Sequence, residues 1–551
     1  LEQYKGCDIL DINPGACLWS QKLHEFLKPR NHVLLEPTPE LFSPYLDPLL
    51  EKPGSRYKLV VKDPLMLPSY RELVDEGVFP HQTRVDPSDP KGQDVNNTLL
   101  VTGSLVWDPR LPGMGFDSMA KQMYHHFASA AWSNDTIHAF GPVRTLLWVP
   151  NDDFNAIIAQ ATNSMHKSNR LLEMTQELNL VVGTEREERS RGRGAISREP
   201  QYEIESTVRA LQSTRKLGLT IPPNRQESGH VFAALVEKAS GGSGIGDTQS
   251  TYELLRQQQL AGATSLKYGG RVLIDSTELE KQVQSEHPEM LPNKPLLLGN
   301  KIELKSMKHH PKYALFKAYN LSHSSLIGVI KSRTKVEKAA DIGEEMLRLE
   351  HKALKMGPGP EKDALVEQIK ELDRAWDQSA TSVDKNLITA PLNEIDDRVS
   401  LRYPPHPRIQ WDSRPYEPLM SHEDETWPQN RVGLVLSTPL PRPRGEGDDW
   451  HEWVLDFVHG LYSDPAKSVP DALDTMQHSL SVIVKDCPSL MDPDKGGRMQ
   501  LKHLRVRMLT KEMINELVKA YRDWPFKAPG SDHITYFRHQ GLRKHRLRGT
   551  L

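Results

Sequence analysis

Residues 7–17 read CDILDINPGAC, and this stretch decides the fold. An apolar run from Cys7 to Ile12 stops at Asn13-Pro14-Gly15. A helix-period segment follows, with Trp19, Leu23, Phe26 and Leu27 on one face. Four more strand-like runs continue the pattern: His32–Glu36, Lys58–Asp63, Leu99–Gly103 and Arg144–Pro150. Ser118–Trp132, between the last two, has helical spacing at Met119, Met123 and Phe127. Continuous apolar runs separated by helices are the pattern of parallel strands buried on both faces. The expected fold is α/β, a doubly wound, Rossmann-like sheet. Asn179–Gly183 adds a sixth strand, and a regular apolar pattern returns at Arg431–Ser437.

Composition sets the limits around that core. The chain has 551 residues, enough for about three to four domain-sized units. Hydrophobic residues make up 37% and prolines number 41, so some polar sequence lies outside any core. Three cysteines (Cys7, Cys17, Cys487) without a CxxC pair exclude a disulfide scaffold and a cysteine-rich zinc domain. The adjacent pairs His125-His126 and His309-His310 lack metal-site spacing, so no metal is expected. No run of about 18 apolar residues occurs, so no membrane insertion is expected. The first ten residues already read as a strand, which places any targeting segment ahead of Leu1.

In a doubly wound sheet, ligands bind beyond the carboxyl ends of the strands. The first strand ends Asp11-Ile12-Asn13-Pro14-Gly15, the second in Glu36, the third in Asp63 and the fourth in Ser104-Leu105-Val106-Trp107. A turn open to a ligand, followed by acids after strands two and three, points to a nucleoside-bearing cofactor. The turn holds a single glycine, Gly15, with Asn13 and Cys17 beside it. An α/β domain with an emptied pocket accounts for the same residues.

The pieces DILDINPGA (8–16), HVLLEP (32–37), VVKDPLMLPSY (60–70), LLVTGS (99–104), AFGPVRTLLWVP (139–150), TWPQNRVGLVLSTP (426–439) and LTKEMINELVKAYRDWPFKAP (509–529) carry a resemblance. Together they resemble class I S-adenosylmethionine methyltransferases. More narrowly, they resemble the rRNA adenine N6-dimethyltransferase family with its relatives, the fungal mitochondrial transcription factor B proteins. The resemblance implies a cofactor site at Asp11, Asn13, Gly15, Glu36, Asp63 and Ser104, with S-adenosylmethionine as the possible cofactor. It implies a base-handling motif after strand four. That motif reads Ser104, Leu105, Val106 and Trp107 here, and is degenerate as a catalytic motif. Trp107 retains a ring able to stack a base. Kept cofactor acids beside a degenerate motif lead to the expectation of a mitochondrial transcription initiation factor. Its partners would be promoter DNA and the mitochondrial RNA polymerase, in the mitochondrial matrix. The alternatives are dimethylation of an adenine in small-subunit rRNA, and another mitochondrial RNA-binding role.

The resemblance makes Asn179–Gly183 strand six and Arg431–Ser437 strand seven, a neighbouring pair, so the expected organisation has five parts. A methyltransferase-like core spans 1–184, and a partly disordered insertion spans 185–400 with a helical hairpin near 335–377. Residues 401–440 return to the core, 441–530 form a C-terminal helical domain, and 531–551 form a basic tail. From Arg498 to Leu551, thirteen Lys/Arg face four Asp/Glu, a net of +9; the whole chain carries −3, so the rest carries −12. Arg498, Lys502, Arg505 and Arg507 form one basic group without an acid among them. Arg538, Arg543, Lys544, Arg546 and Arg548 form a second. Both groups are candidate phosphate contacts. Between them, Leu509, Met513, Ile514, Leu517, Val518 and Tyr521 mark a helix capped by Thr510, with Trp524 and Phe526 read as core anchors.

Overall fold

The computed structural model describes residues 1–551 apart from 87–88, 107–117, 185–197, 263–266, 292–300, 428, 448 and 528–551. Trp107 and the second basic group, including Arg543, Lys544, Arg546 and Arg548, therefore lie outside the described residues. Eight strands among the described residues form one sheet. They are β1 (Asp8–Ile12), β2 (Asn31–Leu35), β3 (Tyr57–Val60), β4 (Asn96–Ser104), β5 (Val143–Pro150), β6 (Gln176–Thr184), β7 (Leu419–Ser421) and β8 (Val432–Pro439). Their order is β3-β2-β1-β4-β5-β8-β6-β7. Every neighbouring pair is parallel except those of β8, which runs against β5 and β6. The α/β, Rossmann-like expectation is met. The short β7 is additional to the strands read from sequence.

Alternation along the strands explains how both faces are covered. On β1, Leu10 and Ile12 join Tyr70, Leu73, Met123 and Phe127 in the main core. Ile9 turns the other way, onto Leu23 and Leu27 of the helix Leu18–Leu27. Burying each such leucine contributes about 1.5–3 kcal/mol. Phe26 of that helix, expected on its inner face, is exposed. The chain order reverses between β1 and β4, so the ligand crevice of such a sheet opens there.

The region between β6 and β7 is more ordered than its polar composition led us to expect. It contains the helices Pro200–Lys216, Ser228–Ala239, Thr248–Leu260, Gly270–Glu286, Tyr313–Leu354, Pro360–Thr381 and Ala390–Arg402. Ile204, Val208, Phe232, Tyr252, Leu255 and Leu273 close a core of their own, drawn from five separate helices with Leu326 and Ile330. The Gly/Ser stretch at 240–246 is the turn between two of these helices, not a linker. The helical hairpin is present as the packed pair Tyr313–Leu354 and Pro360–Thr381.

The C-terminal helices Trp450–Leu461, Val469–Met476 and Lys511–Asp523 share one continuous buried cluster with the sheet and with Ala340, Leu347, Trp376, Ile395 and Val399 of the insertion. Thr510 caps the last helix by accepting from the Met513 N–H. Trp524 packs against the core, whereas Phe526 is 73% exposed and anchors nothing.

Candidate cofactor crevice and the basic C-terminal group

At the crevice, β1 and β4 meet at a position that admits only glycine. Ile12 pairs with Gly103, whose φ is +132°, and a Cβ there would meet the Ile12 carbonyl oxygen at 2.1 Å. The chain then turns through left-handed conformations at Asn13, Gly15 and Cys17, with φ of 50°, 53° and 55°. Asn tolerates this region better than most residues. The Asn13 side chain uses the turn to reach sideways. Its Nδ2 donates to the Ser104 carbonyl oxygen at 3.1 Å, bridging the ends of β1 and β4.

The acid after β2 is similarly engaged within the protein. Gly15 N–H donates to Glu36 Oε2 at 3.2 Å, while the Thr38 N–H and hydroxyl donate to Oε1 at 3.2 and 3.3 Å. A carboxylate offers about four acceptor sites, so these bonds take most of them. Glu36 is 3% exposed. Asp63 is exposed, and its Oδ1 accepts from the Leu65 N–H at 2.9 Å. The Ser104 hydroxyl accepts from the Val106 N–H at 3.2 Å, a local turn, and Leu105 is buried. Asn13, Gly15, Glu36 and Ser104 thus come together as the sequence suggested, but bonded to one another. With the crevice bridged and Glu36 buried, these residues do not fit S-adenosylmethionine as arranged.

Asp11 does not belong to the crevice. Alternation turns it to the same face as Ile9 and His32, where His32 Nε2 lies 3.3 Å from its Oδ2. His32 Nδ1 in turn lies 3.0 Å from His24 Nδ1, and the His24 ring stacks on Tyr57 at 4.2 Å. Burial, then the neighbouring His32, pushes His24 down to about 4. This row of side chains is not legible in the sequence, because His32 lies 21 residues from Asp11 and only strand register joins them.

The first basic group is also corrected. Arg498 donates to Glu350, Arg505 and Arg507 both donate to Asp396, and Lys502 donates to Asp373. Arg498, Arg505 and Arg507 are each about 5% exposed or less. Burial alone would raise Asp396, but Arg505 and Arg507 hold its carboxyl below the usual range. Three of the four cations are consumed in holding the insertion, because their carboxylate partners arrive from more than 100 residues away. Only Lys502 keeps an exposed side chain.

A cavity of about 230 Å³ lies at the opposite, amino end of the strands, lined by Arg71, Arg84, Asn134, Asp135 and Thr136 among others. No cluster of three or more His, Cys, Asp or Glu side chains suited to a metal occurs among the described residues. No described helix is long and apolar enough to cross a membrane. Comparison with protein-family models gives no match, and comparison with curated proteins gives none either.

Proposed function

We propose that this chain is a mitochondrial transcription initiation factor built on a methyltransferase-type fold. In this reading it works in the mitochondrial matrix, binding promoter DNA and the mitochondrial RNA polymerase. The Asn13 carboxamide carries the reading, because it spans the crevice to the Ser104 carbonyl where a methyl donor and a target base would have to meet. Methyl transfer to an exocyclic amine needs the two reacting groups in near-attack geometry. A bridge across that approach, with Glu36 tied to Gly15 and Thr38, favours a fold kept for binding. The antiparallel pairing of β8 with β6, across an insertion of more than 200 residues, supports the methyltransferase-type assignment that the sequence resemblance implies.

Promoter-directed RNA synthesis by the mitochondrial polymerase tests the proposal. Specific transcripts should appear only when this protein is added. A parallel assay supplies S-adenosylmethionine and small-subunit rRNA. Methyl transfer with multiple turnovers there would replace this reading with the rRNA dimethyltransferase alternative.

A further inference from the structure

With Arg498, Arg505 and Arg507 buried, a basic surface remains in the insertion, where Lys312 pairs with Glu286 and Arg333 with Glu199 but the outward lysines of one helix are not closely paired. Residues 301–338 hold nine Lys/Arg and two Asp/Glu, a net of +7. The helix Tyr313–Leu354 has no acid before Glu337. Its buried side carries Phe316, Tyr319, His323, Leu326 and Ile330. Its outward side runs through Ala314, Lys317, Leu321, Ser325, Gly328, Lys331, Lys335 and Lys338, spaced by three or four residues, and all of them are exposed. That spacing keeps them on one face. The 24 steps from Ala314 to Lys338 span about 36 Å, close to the length of one turn of duplex DNA.

Few carboxylates answer these lysines. Lys335 has a loose contact with Asp384 at 3.9 Å, with both groups more than half exposed. Lys317, Lys331 and Lys338 have no carboxylate within ion-pair distance among the described residues. A second set, Lys301, Lys305 and Lys308, is exposed beside the start of the same helix. Paired hydrogen bonds between Ile302 and Asn320, of 2.9 Å each, pin that segment in place. The outward face presents small side chains between its lysines, and Leu321 is its one large exposed apolar group. A membrane-surface helix would need a broader apolar side.

We propose that the outward lysine face of the helix Tyr313–Leu354, with the adjoining Lys301–Lys308 segment, is a docking surface for the phosphate backbone of nucleic acid. The inference rests on the proposed function only for the class of partner. Binding through this face is electrostatic and independent of base sequence, since lysines contact phosphates as point charges. It gives the insertion a role in holding nucleic acid along the molecule.

The test uses the full chain and a mixed-sequence DNA duplex, with binding followed by fluorescence anisotropy across a salt series. The comparison protein carries Lys317→Gln, Lys331→Gln, Lys335→Gln and Lys338→Gln, all at exposed positions, with far-ultraviolet circular dichroism confirming an unchanged fold. Each lost phosphate contact should lower the salt slope by about 0.9, so the quadruple variant should lose about 3 to 4 and bind more than tenfold more weakly at low salt. An unchanged slope and affinity would overturn the inference and, with promoter-dependent synthesis intact, leave the proposed function standing. Failure of the unmodified chain to bind the duplex would also overturn it. Lysine-dependent binding to anionic phospholipid vesicles without duplex binding would overturn it in favour of a membrane surface. Loss of duplex binding with promoter activity absent even for the unmodified chain would support this surface and remove the proposed function.

Discussion

The Arg498 guanidinium grips the Glu350 carboxylate through two parallel hydrogen bonds of 3.0 Å, across 148 residues of chain. Both side chains are buried, and the Met499 N–H adds a third bond to the same carboxylate at 3.2 Å. Asp396 does the same for Arg505 and Arg507. The insertion is therefore held to the C-terminal helices by fully desolvated charge pairs, in a geometry that suits the planar arginine fork.

Removing one partner of such a pair strands a buried charge. Glu350→Ala should lower unfolding free energy by roughly 3–5 kcal/mol. Replacing both groups, Glu350→Leu with Arg498→Met, should recover much of that loss, because no buried charge is left unpaired and only the Met499 N–H loses its acceptor. Urea unfolding of the two variants measures the difference. A single variant within about 1 kcal/mol of the parent, the size of an exposed pair, would mean that the contact is solvated.

These ion pairs mark the limit of what the sequence discloses. The sheet was legible because buried strands are continuous apolar runs, and Asn13, Gly15, Glu36 and Ser104 converge because strand ends converge. The fate of Arg498, Arg505 and Arg507 was hidden. No acid lies between Arg498 and Arg507, and the acids that bury them sit on helices of the insertion. That insertion reads as polar because its core residues come one or two to a turn from many helices, with no single run to betray them. Trp524 and Phe526 are two residues apart and equally aromatic, yet only Trp524 meets the core.

Glu394 supplies a pH test. Burial, reinforced by Glu199, pushes its carboxyl up from the ordinary 4.5 to about 8, and the Tyr202 hydroxyl donates to its Oε1 at 3.0 Å. The unfolded chain releases this proton near 4.5, while the folded chain keeps it until about pH 8. Between those values the folded state binds more protons, so this group's contribution to stability falls as pH rises and is fully lost above 8. Glu394→Gln retains an acceptor for Tyr202 and cannot ionise. The variant should therefore gain on the parent as pH rises from 5 to 8.5, by roughly 3–4 kcal/mol. Denaturation midpoints at several pH values measure the gap, and a gap that narrows as pH rises would show Glu394 to be ionised in the fold.

Asn13 gives the crevice its bridge, so Asn13→Gly should open it. Glycine adopts the φ of 50° without strain and removes the bond to Ser104. Calorimetric titration with S-adenosylmethionine should detect no binding to the parent and measurable binding to the variant. Tight binding to the parent would show that Asn13 moves aside and that the crevice is open to ligand in solution.

Gly103 makes the close approach of β1 and β4 possible, and two glycine substitutions separate steric from conformational cost. Gly54 has φ of +72° with nothing within 4 Å of an added Cβ, so Gly54→Ala should cost only the backbone penalty, about 1–2 kcal/mol. Gly103 also has positive φ, but its added Cβ would lie 2.1 Å from Ile12 O and 2.5 Å from Ile12 N. Those atoms belong to a central strand buried on both faces, so β1 can retreat only by breaking its register with β4. Gly103→Ala should therefore cost more than about 4 kcal/mol, beyond the usual range for one substitution. It should also separate the Asn13 and Ser104 ends of the crevice. Chemical denaturation of both variants checks the ranking. Equal losses at the two sites would mean that β1 and β4 are not held together at Gly103.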